Sequence, residues 1–331
     1  MRTYRVLVTS VFLSPGGEVD RRLCAEGLEP VYAPLTGRRM EDELIALLQG
    51  IDGAIAAGDP FTDRVMQAAP RLRVISRTGV GYDGIDVKAA TARGIVVCNT
   101  PGVNRHAVAE WTFALMLACA RKMHANLAEV RRGGWTRHEG MDLAGKTLGI
   151  VGLGMIGKEV AQRARAFEMR ILAHEVSEDT QFAEAHGVAY VPLEQLLRES
   201  DFVTLHLFLN DRTRHLINAE RLAWMKPTAF LVNTARGGII DTTALVQALR
   251  AKRLAGAALD VVEGEPLAPE SPLRELENVY LSPHVGGVTA DARTRSGSMA
   301  AENLIRALKG ERPLAVVNPE VLAPPFTHNR S

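Results

Sequence analysis

The chain has little that would mark a secreted, metal-holding or nucleic-acid-binding protein. Its 331 residues include only three cysteines, Cys24, Cys98 and Cys119, scattered and without a CxxC pair. An odd, dispersed set argues against a disulfide framework and against a zinc site, and no metal is expected. Cys98 ends an apolar run and Cys119 lies in an apolar helical stretch, so burial in a reducing cytoplasm is the expected state of both. Charge of either sign is not in excess: 39 Lys and Arg face 38 Asp and Glu, a net +1. Nothing in that balance asks for a nucleic acid or an acidic surface as partner. Long apolar runs are missing too. Residues 107–120 form the longest, interrupted by Glu110, and fall short of the roughly 20 residues a membrane helix needs. The amino end has a short apolar run and no cleavage-like pattern after it, which reads as a first strand and not as a signal peptide.

What is there is the composition of a folded, two-domain protein. At 331 residues the chain exceeds the size at which one hydrophobic core usually stops growing. Apolar residues make up 47% and charged residues 23%, as in ordinary globular domains. Short β-branched runs at 6–8, 53–56, 74–76 and 95–98 alternate with helical patterns at 41–49, 62–69 and 86–93. Thr62 and Asp63 offer an N-cap to the second of these helices. Pro101 and Gly102 break the pattern. Asn104 then caps a long helix to about residue 123, and the Gly- and charge-rich stretch 131–140 reads as a loop carrying Trp135. A second alternation places strands at 147–151, 170–174, 202–205, 229–232, 257–259 and 279–281, before a last helix over 290–309. Alternation of this kind predicts an α/β protein with two doubly wound parallel sheets.

Gly152, Gly154 and Gly157 make a GxGxxG turn with Met155 and Ile156 inside it. That pattern is weak alone, but here a buried-strand run leads into it and a helical pattern leaves it. Gly152 permits a tight turn, Gly154 lets the backbone approach a pyrophosphate, and Gly157 allows close helix–strand packing. The helix N-terminus would present N–H groups and its positive end to the phosphates. Glu175 closes the next predicted strand, eighteen residues past Gly157. A carboxylate there accepts hydrogen bonds from ribose hydroxyls and repels a 2′-phosphate, and neither Val176 nor Ser177 supplies a cation. The pattern predicts NAD in preference to NADP.

Three polar residues follow. Arg236, Glu265 and His284 each lie just past a predicted strand of the second sheet. Singly they are ordinary: an Arg after a strand is often a surface ion-pair partner, a lone His is usually structural, and a Glu before Pro commonly caps a loop. Together they lie beyond the carboxyl ends of parallel strands, where ligands bind. A fixed cation for a carboxylate, an imidazole, and a carboxylate to tune it suit interconversion of a 2-oxo and a 2-hydroxy acid with a nicotinamide cofactor.

At this point the chain resembles the D-isomer-specific 2-hydroxyacid dehydrogenase family. The resemblance runs through residues 76–86, 99–102, the glycine turn, 233–241, 260–266 and 282–287, and so covers nearly the whole length. Residues 77–121 look most like the 3-phosphoglycerate dehydrogenase-like branch. It implies a Rossmann NAD-binding domain over 103–289 and a flavodoxin-like substrate domain from 1–102 plus 290–331. Arg236 would grip the substrate carboxylate, His284 would exchange a proton with the substrate oxygen, and Glu265 would hold the other imidazole nitrogen. The backbone N–H groups of Val80 and Gly81, and the Arg77 side chain, would meet the substrate. Asp260 would hold the nicotinamide carboxamide, and Leu207, Thr213, Thr234, Ala235 and Gly286 would line the cofactor. Asp83 and Asp86 are expected to be structural. Trp135 and its neighbours resemble a segment that reaches into the partner subunit of a homodimer; the apolar helix 108–123 fits a dimer seam and equally a buried intrachain helix, so the homodimer is implied mainly by the resemblance.

Departures from the family narrow the chemistry. Relatives often carry His-x-Pro-Leu where this chain has His206, Leu207, Phe208 and Leu209. Phosphoglycerate enzymes commonly place an arginine in the loop after the third strand, whereas residues 55–60 hold Asp59 and no base, while Arg77 does match a position associated with the substrate phosphate in that branch. Phosphoglycerate, glyoxylate and hydroxypyruvate therefore all stand as candidate substrates, and no appended regulatory domain is expected. Two other readings share the fold: an NAD(H)-sensing, corepressor-like binding protein, and a phosphite-type dehydrogenase. A formate-type enzyme is disfavoured, since that branch typically has Gln at the position of Glu265.

Overall fold

The computed structural model describes residues 3–322; residues 1–2 and 323–331, the extremes of the expected substrate domain, lie outside the described residues. The chain divides into two compact units, Met1–Asn104 with Thr289–Ser331, and Arg105–Val288.

The first unit is built on strands β1 (Tyr4–Val8), β2 (Leu28–Tyr32), β3 (Gly53–Ala56), β4 (Val74–Arg77) and β5 (Val96–Cys98), paired in parallel in the order β2-β1-β3-β4-β5. That is the flavodoxin-like order. β3 is buried at every position, which explains why its sequence is a continuous apolar run. β2 is not evident from sequence because Glu29 and Pro30 interrupt it. Pro30 is tolerated there because β2 is an edge strand with one neighbour. Thr62 caps its helix by accepting from Val65 N at 3.4 Å, and Asp86 accepts from Ala89 N at 2.9 Å to start the helix Val87–Ala92. The last helix, Ala290–Lys309, packs back on this sheet. Ala300, Ala301, Leu304, Ile305 and Leu308 recur at helical spacing and are buried with Val6, Val8, Ile55 and Val74. Each such leucine contributes about 2 kcal/mol of apolar burial. Ser76 Oγ donates to the Ala300 carbonyl at 2.8 Å.

The second unit holds β6 (Thr147–Val151), β7 (Arg170–His174), β8 (Val188–Tyr190), β9 (Phe202–Leu205), β10 (Phe230–Asn233), β11 (Gly256–Leu259) and β12 (Val279–Leu281). They form one parallel sheet in the order β12-β11-β10-β9-β6-β7-β8. This is the Rossmann arrangement, in which the strand order reverses beside β6 and leaves a ligand crevice beyond the strand ends. The expected long helix of 104–123 is found as Arg105–Ala120, ending about one turn early, and a second helix, Met123–Arg131, follows it. Lys122 separates the two by taking a left-handed backbone, φ 44°. Asn104 does not cap the first as expected, because its Oδ1 is enclosed with no hydrogen-bond partner among the described residues. The stretch 131–140 is non-helical after its first residue, and Trp135 stands in solvent. Cys98 and Cys119 are buried, and burial pushes both thiols up to about 12. Cys24 is exposed. Among the described residues no helix is long and apolar enough to cross a membrane.

Candidate active site

Parallel pairing puts the ends of β10, β11 and β12 in line: Asn233 pairs with Leu259, and Leu259 with Leu281. Arg236, Asp260, Glu265 and His284 follow those residues, so the sheet delivers them to one edge. His284 Nδ1 lies 2.7 Å from Glu265 Oε2, and Glu265 Oε1 accepts from Val262 N at 3.2 Å. The carboxylate accepts a proton-bearing Nδ1, which leaves Nε2 as the outward nitrogen. Both side chains are substantially exposed, which leaves them accessible to a small molecule.

His284 adopts φ 55°, a conformation that costs a residue with a Cβ about 1 kcal/mol or more. Asp260 holds it there. His284 N donates to the Asp260 carbonyl at 2.8 Å, Val285 N to Oδ1 at 2.9 Å and Gly286 N to Oδ2 at 2.8 Å. Ser282 Oγ and Trp111 Nε1 also donate to Oδ1, at 2.6 and 3.1 Å. Asp260 is therefore a buried anion satisfied by five donors, counting its carbonyl, and its carboxylate organises the His284 loop. Oδ2, with one donor among the described residues, retains an open lone pair.

Arg236 is half-buried on an extended backbone, and its Nη1 donates to the Ala235 carbonyl at 2.7 Å. Asn233 braces the turn: its Nδ2 donates to the Arg236 carbonyl at 2.9 Å, and its Oδ1 accepts from Ala235 N at 3.0 Å. Gly237 must be glycine, because a Cβ would come within 2.0 Å of the Val262 carbonyl carbon and 2.4 Å of Glu263 N. That approach brings the Arg236 turn against the loop that carries Glu265.

A dinucleotide fits the glycine turn. Gly152 takes φ 97°, and a Cβ on it would sit 2.7 Å from the His206 carbonyl oxygen. A Cβ on Gly157 would lie 2.2 Å from the Gly152 carbonyl oxygen, whereas one on Gly154 would meet no atom within 4 Å. The space over Gly154 is thus open at the start of the helix Met155–Ala166, whose first turn has no acidic residue and no side-chain cap. That is the place and polarity for phosphates. Met155 is exposed and Ile156 half-buried. Glu175 directly follows β7, with its Oε2 accepting from Leu153 N at 2.8 Å and Oε1 from Val176 N at 2.7 Å, fixed beside the turn. Past β9, Leu207 is half-buried, Phe208 is exposed, and Thr213 Oγ1 donates to the Phe208 carbonyl at 2.6 Å. Thr234 is buried with its hydroxyl 3.0 Å from that of Thr112, while Ala235 is half-buried. The structure brings the second-unit residues to one sheet edge, but it spends the Thr234 and Thr213 hydroxyls on the protein itself.

In the first unit, the backbone N–H groups of Val80 and Gly81 have no acceptor among the described residues, while the Val80 carbonyl accepts from Asn99 Nδ2 at 2.8 Å. Arg77 lies over Gly79, with Nη1 only 1.7 Å from where a Cβ would stand. Asp59, noted as an acid where a base is common, is buried against Arg39 Nη1 at 2.5 Å and also bonds the Thr9 hydroxyl and Ala57 N. Trp111 and Ser282 were not singled out from sequence. Trp111 could have been suspected, since an indole in an apolar helix needs an acceptor for its N–H.

Known proteins resemble this chain over most of its length. Residues 113–286 match the model for the D-isomer specific 2-hydroxyacid dehydrogenase, NAD binding domain. A glyoxylate reductase of Korarchaeum cryptofilum is 49% identical over 270 residues, 80% of this chain and 81% of its own. A D-3-phosphoglycerate dehydrogenase of Methanocaldococcus jannaschii is 43% identical over 84% of this chain and 54% of its own. The crystal structure of D-lactate dehydrogenase from Aquifex aeolicus, complexed with NAD and lactic acid, superposes with a TM-score of 0.83 at 29% identity, over 92% of this chain and 96% of that one.

Proposed function

Because this chain belongs to the D-isomer-specific 2-hydroxyacid dehydrogenase family, we propose that it reduces a small, unphosphorylated 2-oxo acid such as glyoxylate or hydroxypyruvate at the Arg236–Glu265–His284 edge. It is an NAD-dependent oxidoreductase acting on a CH–OH group. The observation that carries the assignment of roles is the 2.7 Å contact between His284 Nδ1 and Glu265 Oε2, delivered to the same edge as Arg236. Arg236 meets the substrate carboxylate, for which a guanidinium offers two parallel donors and a charge that never titrates away. His284 gives a proton from Nε2 to the substrate carbonyl oxygen, and Glu265 holds the ring by Nδ1 while its positive charge is stabilised. The bound nicotinamide supplies or accepts the hydride. Gly154 and the following helix N-terminus hold its phosphates, Glu175 its ribose, and Asp260 Oδ2 its carboxamide, with Met155, Ile156, Leu207, Thr213, Thr234, Ala235 and Gly286 as the lining. In the first unit by itself, the Val80 and Gly81 amides are open donors of the kind a carboxylate accepts.

The preference for an unphosphorylated acid rests on Asp59 and Arg39. The loop after β3 presents a carboxylate, and the arginine that approaches it is buried in neutralising that carboxylate. A phosphate would gain no cation from this loop. The partner is a second copy of the chain. Met123, Leu127 and Val130 form an i, i+4, i+7 stripe on a helix with no buried residue, and Trp135 beyond it is 78% exposed. Such a stripe is apolar surface that a homodimer would cover.

The test is NADH oxidation by the purified protein with glyoxylate, hydroxypyruvate, pyruvate and 3-phosphohydroxypyruvate. Glyoxylate or hydroxypyruvate should give the highest kcat/KM, and His284→Ala should lower kcat by about 100- to 10,000-fold. Preference for the phosphorylated acid would overturn the substrate assignment, and a variant as active as the parent would remove His284 from the chemistry.

A further inference from the structure

A second imidazole–carboxylate pair stands two residues from the first. His215, in the loop after β9, has Nε2 2.7 Å from Glu263 Oε1. Glu263 and Glu265 flank Gly264, which takes φ 71°. The other Glu263 oxygen, Oε2, accepts from Thr242 N at 3.2 Å, at the start of the helix Thr242–Arg250. Burial would raise the Glu263 pKa, but the hydrogen bonds from Thr242 and His215 outweigh it and hold the carboxyl below its usual range. Glu263 is therefore the acceptor and His215 Nε2 the donor.

His215 is tied on its backbone as well. Its N–H donates to the Gly238 carbonyl at 2.8 Å, and it adopts φ 49°, a conformation rare for a residue with a Cβ. Ile217 N donates to Ile239 O at 3.0 Å, and Asp241 N to Ile217 O at 3.0 Å. The loop after β9 is thus laced to the Arg236 turn by its backbone and to the loop 262–265 by one side chain. The last two already touch where Gly237 meets Val262, within the reach that excludes a Cβ.

We propose that His215 and Glu263 are a positioning pair, which clamps the loop 262–265 onto the Arg236 turn and so sets Arg236 and Glu265 in register with His284. The inference rests on the reading of that edge as the reacting site. As a hydrogen bond between partly exposed groups (44% and 33%) the contact contributes little to stability. Its effect is geometric, since a displacement of the order of 1 Å at a substrate clamp costs up to about 100-fold in rate.

The experiment compares the parent with His215→Ala, His215→Gln and Glu263→Gln for NADH-dependent glyoxylate reduction and for hydrogen exchange of backbone amides. Gln at 215 keeps a donor near the position of Nε2, and Gln at 263 keeps an acceptor. The Ala variant should lower kcat/KM for glyoxylate by up to about 100-fold, with KM raised about tenfold and kcat lowered by a similar factor, while His215→Gln and Glu263→Gln return both to within about threefold of the parent. Amides of 237–240 and 262–265 should exchange faster in the Ala variant and recover in both Gln variants. An unchanged KM, or a fall in kcat alone as from a smaller folded fraction, would overturn the proposal. If the parent reduces no 2-oxo acid, the functional reading fails, and exchange still decides the clamp: unchanged protection of both loops refutes it.

Discussion

At the scale of single residues, the largest electrostatic perturbation near the cofactor turn belongs to His206, at the end of β9. The residue as a whole is half-buried, but its Nε2 is enclosed and without a hydrogen-bond partner among the described residues. Burial pushes its pKa down to about 3, because a charged ring there would lose its hydration with nothing to replace it. The native state refuses a proton that the unfolded chain takes up near pH 6.5. The neutral ring's contribution is therefore present above about pH 6.5 and declines as pH falls toward 3, by up to about 1.4 kcal/mol per pH unit. His206→Gln should flatten that decline, so the urea midpoint should drop less between pH 7 and pH 5 in the variant than in the parent. Equal drops would mean that another group titrates. His206 was visible in the sequence as part of a motif, but its enclosure was not, because that depends on neighbours from other strands.

At the scale of elements, the glycines divide into two kinds that sequence cannot separate. Gly237 is required by an approach of two loops, with a Cβ placed 2.0 Å from backbone that cannot swing aside. Gly154 has open space above it and is required by what would bind there. Gly237→Ala should therefore cost about 1–3 kcal/mol or more of stability and lower kcat/KM, through displacement of the Arg236 turn. Gly154→Ala should leave the melting temperature nearly unchanged and weaken NADH binding, measured by fluorescence titration. A Gly154→Ala protein that melts early while binding NADH normally would reverse the assignment. Strand legibility follows the same physics. The inner strands β3, β6 and β9 are fully buried and read directly as apolar runs. The edge strands β2 and β8 do not, since one side has no partner strand and Glu29, Pro30 or an exposed Ala189 is allowed there.

At the scale of the whole molecule, the apolar stripe of Met123, Leu127 and Val130 predicts self-association. Leu127→Glu with Val130→Glu should convert a dimer to a monomer in sedimentation at micromolar concentration; a parent that is itself monomeric there would refute the dimer. Sequence alone determined the class of the protein: helix and strand periods, the glycine turn with Glu175, and Arg236, Glu265 and His284 after successive strands are local patterns, each readable within a few residues. Only tertiary structure decided which of them meet. Parallel pairing of β10, β11 and β12 aligned the three loops, Asp260 gathered Trp111, Ser282 and the His284 backbone from places 149, 22 and 24 residues away, and His215 found Glu263 across 48 residues. Contacts at such separations are chosen by the packing of a whole sheet, and no window along the chain contains both partners.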